Sequence, residues 1–210
     1  MTCRLRWIVL VASFTWASIC LAAPDAQALI GRLARSAPSN IAFIEARFSP
    51  LLVAPIIVAG ELAYGGPQSL DRHVNRPYAE NTQIRGESVR IERDGEPTRT
   101  FALRRAPELR GFLTGLVGLL GGDGAFIEEH FGITAGGDDA AWSLALAPVD
   151  AKLRQRLRQI LVYGNGSEPR CFSMLDTAGG ASVMLLGPAA NRTLSPDVTL
   201  KDVLVICGAQ

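Results

Sequence analysis

Leu109, Phe112, Leu113, Leu116, Val117 and Leu120 recur at i, i+3, i+4, i+7, i+8 and i+11, which gathers them on one side of an α-helix. Pro107 and Glu108 suit its first turn. The other side carries Arg110, Gly111, Thr114, Gly115 and Gly118, and three interior glycines cost about 0.8–1 kcal/mol each relative to alanine, so the pattern predicts a pliable, small-faced helix. A second short helix, Ala125–Phe131, groups Phe126, Ile127, His130 and Phe131, with Gly121, Gly122 and Gly124 at its entry. Near the start, Ala26, Leu29, Ile30 and Leu33 form one stripe of a helix over Asp25–Ser36, ended by Pro38.

Elsewhere the period drops to two. Ile41–Phe48, Ile56–Tyr64, Ser69–Asn75, Asn81–Gly86, Ser88–Arg93 and Thr98–Leu103 read as short strands, with turn signals at Gly65-Gly66-Pro67, Arg76-Pro77, Gly86-Glu87 and Asp94-Gly95. That spacing predicts an antiparallel meander. Strands resume at Ala141–Pro148, then at Gln159–Tyr163, Arg170–Leu175 and Ala181–Leu186, with hairpin signals at Gly164-Asn165-Gly166 and Ala178-Gly179-Gly180. Val203–Cys207 is the expected last strand.

The first 22 residues stand apart from this pattern. Arg4 and Arg6 precede a mostly apolar run from Trp7 to Leu21, too short for a comfortable membrane span, and the small residues Cys20 and Ala22 fit export and cleavage after Ala22. Ala28 is the alternative cut. Bulky Ile19 before Cys20 does not fit a lipoprotein signal. Residues 1–22 are thus expected to be a signal peptide and residues 23–210 one domain. Removing two arginines turns the net charge from +1 to about −1, which argues against nucleic acid as a partner. Of 4 cysteines, Cys171 and Cys207 survive export into a compartment where disulfides persist; whether they pair stays open.

Catalytic patterns do not assemble. Two histidines, His73 and His130, make an imidazole-rich metal site improbable, no cofactor motif is present, and there is no G-x-S-x-G elbow, Walker loop or G-x-G-x-x-G after a strand. His73 reads as a solvated strand position and His130 as a helix-face residue. Glu128-Glu129 and Asp138-Asp139 are neighbours whose side chains point apart, so neither is a ready acid–base pair. What stays unexplained is an apolar surplus: without the leader, roughly 55% of residues are apolar or glycine, against about 45–50% ordinarily. A curved sheet closed by pliable helices over an apolar ligand accounts for it; so does an ordinary core sealed by the same helices.

One resemblance bears on that choice. Phe43-Ile44-Glu45-Ala46-Arg47-Phe48, Gly60-Glu61-Leu62-Ala63-Tyr64, Pro67-Gln68-Ser69-Leu70 and Gly86-Glu87-Ser88-Val89-Arg90-Ile91, in this order after an N-terminal helix, resemble the periplasmic outer-membrane lipoprotein carrier family LolA. The resemblance implies a mainly β, α+β fold: an incomplete antiparallel β-barrel or curved sheet, with helices forming a lid over an apolar cavity. An arginine that helps to control opening in that family stands before the P-x-x-L turn; Gly65-Gly66 holds the place here, with Arg72 nearby. The expected protein is a divergent, monomeric periplasmic carrier, not an enzyme. Its expected cargo is the acyl chain of a lipid, a glycolipid or pigment lipid, or a lipoprotein, moved from the inner towards the outer membrane. An inner-membrane exporter and an outer-membrane acceptor are the implied partners. Candidate lining residues are Phe43, Leu62, Tyr64, Leu109, Phe112, Leu113, Leu116, Phe126 and Trp142. A lipid-modifying enzyme of esterase type and a lipid-sensing module are the alternatives.

Overall fold

Strand alternation gives the sheet two buried faces. In β1 (Ser39–Phe48), Phe43 and Glu45 share one face and Ile44 and Ala46 the other, and all four are buried. Each face therefore needs its own cover. The computed structural model describes residues 25–208; the expected signal peptide and its expected cut after Ala22 lie outside the described residues.

From β1 the chain runs through β2 (Ile56–Gly66), β3 (Ser69–Arg76), β4 (Glu80–Arg85), β5 (Ser88–Arg93) and β6 (Arg99–Ala102), each antiparallel to the last. A second meander comprises β7 (Phe131–Gly137), β8 (Trp142–Pro148), β9 (Leu157–Asn165), β10 (Glu168–Asp176) and β11 (Ala181–Leu186). Pairing of β11 with β1 joins the two into one 11-stranded sheet, ordered β6-β5-β4-β3-β2-β1-β11-β10-β9-β8-β7. Strands β6 and β7 do not pair with each other, so the barrel stays open.

Helices occupy that opening. The chain leaves β6 through a 3-10 turn at Leu103–Arg105, forms α2 (Pro107–Gly121) and α3 (Gly124–His130), and enters β7, so this segment connects the two edges of the sheet. Gly122 ends α2 in the left-handed region at φ 66°, and the Asp123 carboxylate accepts from Phe126 N at 2.9 Å to start α3. The N-terminal helix α1 (Ala26–Arg32) packs against α2, α3 and β7, burying Leu29 and Ile30. With Leu33, Phe43, Leu62, Leu116, Ile127, Leu144, Ile160 and Phe172 these residues form the inner core.

The outer face carries a smaller core of Ile44, Ala46, Ala59, Val183 and Leu185 under Val203 and Cys207. Here the structure corrects the expected last strand. Val203–Cys207 belongs to the helix α5 (Leu200–Cys207), whose N-cap Thr199 accepts from Asp202 N while the Asp202 carboxylate accepts from Thr199 N. That reciprocal cap, with Gly208 at φ 89° behind, outweighs the β-propensity of Val203, Val205 and Ile206. Cys207 is bonded to Cys171 of β10, Cα to Cα 5.5 Å, which pins α5 to the sheet.

Two elements escape the pattern of the sequence. Strand β7 contains Gly132, Gly136 and Gly137, which leave too few side chains for alternation to be visible. The charged stretch after Pro148 folds into the one-turn helix α4 (Ala151–Arg154), with the Asp150 carboxylate accepting from Leu153 N at 2.8 Å.

Candidate functional site

The glycine side of α2 is what lets the helix settle into the opening. A Cβ added at Gly115 would lie 3.0 Å from Ile160 Cδ1, and one at Gly118 would lie 2.6 Å from Ile127 Cγ1 of α3. The glycines are therefore buried hollows that receive side chains from sheet and helix, a packing role that the expected pliable face did not include. Gly118→Leu is expected to cost about 2 kcal/mol, because the larger side chain has to displace Ile127. A thermal melt coinciding with that of the parent would show that α2 and α3 do not pack this way.

Between this helical filling and the turns at one end of the sheet lies a cleft of about 720 Å³. Its walls are Leu70, Ile84 and Leu103 on the sheet side and Leu113, Val117, Gly118 and Phe126 on the helices; Gln68, Glu87, Arg110, Asp123 and His130 stand among the polar lining. The size lies within the range of about 300–1,000 Å³ usual for small-molecule sites. Register explains the floor: Leu70 of β3 and Ile84 of β4 are cross-strand partners, and the row continues into the core with Tyr64 on β2 and Val89 on β5.

Of the nine expected lining residues, Leu113 and Phe126 border the cleft. Phe43, Leu62, Tyr64, Phe112, Leu116 and Trp142 are buried in the inner core, and Leu109 packs half-buried against it. They pack between sheet and helices. Leu70, Ile84, Leu103 and Val117 escaped the sequence reading as lining residues; only the turn positions around them, Pro67 and Gly86, marked that end of the sheet. Burial pushes the Tyr64 phenol up from its ordinary range.

The inner face is not apolar throughout. One step from the cleft floor the partners are Leu62, Arg72 and Thr82, and the next step brings Val74, Glu80 and Arg93. Arg72 Nη2 donates to Glu45 Oε2 at 2.6 Å, Arg47 Nε to Glu45 Oε1 at 2.8 Å, and the Ser182 hydroxyl to Glu45 Oε1 at 2.6 Å. Glu80 accepts from Arg93 at 2.7 Å, and the Arg72 guanidinium lies 4.9 Å from the centre of the Phe43 ring. Burial alone would raise the Glu45 pKa; the hydrogen bond and charge of Arg47, the charge of Arg72 and the Ser182 hydroxyl outweigh it and hold it at about 2.

The histidines do not converge. His73 is exposed on β3, whereas His130 reaches the cleft with Nδ1 2.9 Å from the carbonyl oxygen of Phe126. Asp138 accepts from the backbone N–H of Ala140 and Ala141, and Asp139 pairs with Arg32, so these carboxylates serve a turn and an ion pair. Among the described residues no group of three His, Cys, Asp or Glu side chains is placed to hold a metal ion.

An antiparallel sheet that stops short of closure, with its opening filled by a helical segment joining its two edges, defines an incomplete β-barrel with a helical lid. The chain belongs to the family of outer membrane lipoprotein carrier protein LolA-like proteins, whose pattern it matches over residues 18–206. Among solved structures it is similar to a LolA superfamily protein from Nitrosomonas europaea, at 11% identity and a TM-score of 0.45, over 82% of this chain and 96% of that one. It is also similar to a putative outer membrane lipoprotein-sorting protein domain from Vibrio parahaemolyticus, at 10% identity and a TM-score of 0.43, over 86% and 96% of the two chains. Among curated proteins no sequence relative matches. No helix among the described residues is long and apolar enough to cross a membrane.

Proposed function

We propose that this protein is a periplasmic carrier that holds the acyl chain of a lipid, glycolipid, pigment lipid or lipoprotein on its way from the inner to the outer membrane. Membership of the LolA-like family supports the carrier class. The observation that carries the reading is the cleft: its apolar walls continue into the inner core, so a chain entering beside Val117 and Phe126 meets the helices and not the sheet as its movable wall. Displacing α2 would add Phe43, Leu62, Tyr64, Leu109, Phe112, Leu116 and Trp142 to the lining. Burial of each methylene contributes about 0.8 kcal/mol, so a partial chain already supplies useful affinity.

Native mass spectrometry of the protein from its own cell envelope is expected to find a co-purifying acyl lipid. Val117→Glu puts a charge on the cleft wall at a half-buried position. It is expected to weaken binding of a fluorescent fatty acid at least tenfold, or about 1.4 kcal/mol, with little change in melting temperature. A protein that carries no lipid and ignores the probe would sink the carrier reading.

A further inference from the structure

The connection between β1 and β2 is apolar where a surface loop is normally polar. From Phe48 to Gly60 thirteen residues pass without a charge, and Pro50, Leu51, Leu52, Val53 and Ala54 are exposed one after another. Leu51 keeps 93% of its accessible surface and Val53 keeps 108%. The loop nevertheless has a built shape: Leu51 N donates to Ser49 Oγ at 3.3 Å, Leu52 N donates to Ser49 O at 3.0 Å, and Ile56 is back in register opposite Arg47. Scattered exposed apolar residues need no explanation, but a contiguous run of them marks an interaction site.

We infer that this loop seats the protein on the surface of a phospholipid bilayer, with Leu51, Leu52 and Val53 entering the boundary between headgroups and acyl chains. Shape and area select this occupant. A specific protein interface buries about 1,200–2,000 Å² in all, whereas a projecting tip of three aliphatic side chains offers on the order of a few hundred. A narrow apolar wedge that no protein face needs is what an interfacial anchor requires. The charge around it agrees. Arg76, opposite Ala59 near the start of β2, and Lys152 and Arg154 of α4 lie at the same end of the sheet, are exposed, and have no carboxylate partner among the described residues; Asp94 and Asp150 are the exposed carboxylates set against them there. Anionic headgroups would satisfy them. Val149, 53% exposed, adds a further apolar side chain there.

The position relative to the cleft has a geometric meaning. Strand β2 starts at the loop and ends beside Pro67 and Gln68 of the cleft, and its 11 residues span about 35 Å. A protein standing on the loop thus turns its cleft away from that bilayer, open to whatever approaches from the aqueous side. The inference goes beyond the carrier reading, since it assigns a bilayer contact whatever the cleft holds.

Flotation of the processed protein with vesicles tests it. The parent is expected to rise with phosphatidylcholine vesicles and several-fold more with vesicles containing phosphatidylglycerol. Leu51→Glu with Val53→Glu is expected to weaken partitioning at least tenfold, with melting temperature and fatty-acid affinity unchanged because both side chains stand in water. In an otherwise unaltered protein, Leu51→Trp is expected to give an indole emission that shifts to the blue on vesicles and is quenched by brominated acyl chains. A parent that stays at the bottom of the gradient overturns the inference, even if the loop then captures a protein. So does a double variant that floats like the parent, since Arg76, Lys152 and Arg154 would then be binding alone. Failure of the carrier reading would show separately, as loss of fatty-acid binding at the cleft with flotation intact.

Discussion

Replacing Cys171 and Cys207 together by alanine lowers the unfolding free energy by about 4 kcal/mol. The bond closes a loop with a sequence separation of 36, and the chain-entropy relation for a loop of that length gives this figure. The loss has a definite local expression. Helix α5 has 8 residues, too few to be stable without tertiary support, and Cys207 and Val203 are its buried side chains. Without the bond, α5 peels from the outer face and uncovers Ile44, Val183 and Leu185. Urea unfolding of parent and variant, with the parent also measured in reductant, separates the cross-link from the lost sulfur volume: the reduced parent should follow the variant. Coincident midpoints for oxidised and reduced parent would show that the loop closure contributes nothing.

Acid costs the protein almost as much, and chiefly through one buried carboxylate. Glu45, 5% exposed, titrates at about 2 when folded against 4.5 ordinarily, so the folded state holds its ionised form more tightly than the unfolded chain does. The stabilisation it contributes is complete above about pH 4.5 and disappears as the pH falls towards 2. At about 1.4 kcal/mol per unit this amounts to roughly 3 kcal/mol. Glu45→Gln should lose a comparable amount at neutral pH, because the Arg72 guanidinium, 11% exposed, keeps only Glu80 at 3.4 Å. The variant should also show a flatter decline between pH 5 and pH 3. Parallel acid limbs for parent and variant in urea titrations would assign the acid sensitivity elsewhere.

How much of this could be read from the residues depends on how each element earns its burial. Ser88–Arg93 and Ala181–Leu186 form strands at the bounds their alternation implies, and the amphipathic stripe of Leu109–Leu120 lies within α2. Element order and the open antiparallel sheet follow from such local signals and from the family resemblance. Two misreadings have separate causes. A run of β-branched residues imitates a strand in α5, where the cap formed by Thr199 and Asp202 was the better signal, and glycines erase the alternation of β7. The cleft was harder, because its wall combines three turns with one side of a helix. Apolar residues at helical spacing mark what is buried; they do not tell a core residue such as Leu116 from a cleft residue such as Leu113. The ionic group around Glu45 had a visible trace in Phe43-Ile44-Glu45-Ala46, where alternation puts a carboxylate on the same face as a buried aromatic.

That alternation reaches beyond β1. Since neighbouring residues of one strand belong to different cores, the helices on the two faces share no apolar layer: α1, α2 and α3 cover Phe43 and its neighbours, and α5 covers Ile44 and its own. The molecule is two hydrophobic laminates glued to one backbone. Each laminate keeps water from its own side of β1 and its neighbours, and the two are unequal: the inner one is much the larger. The face tied down by the disulfide is the keel; the face with the cleft is the deck.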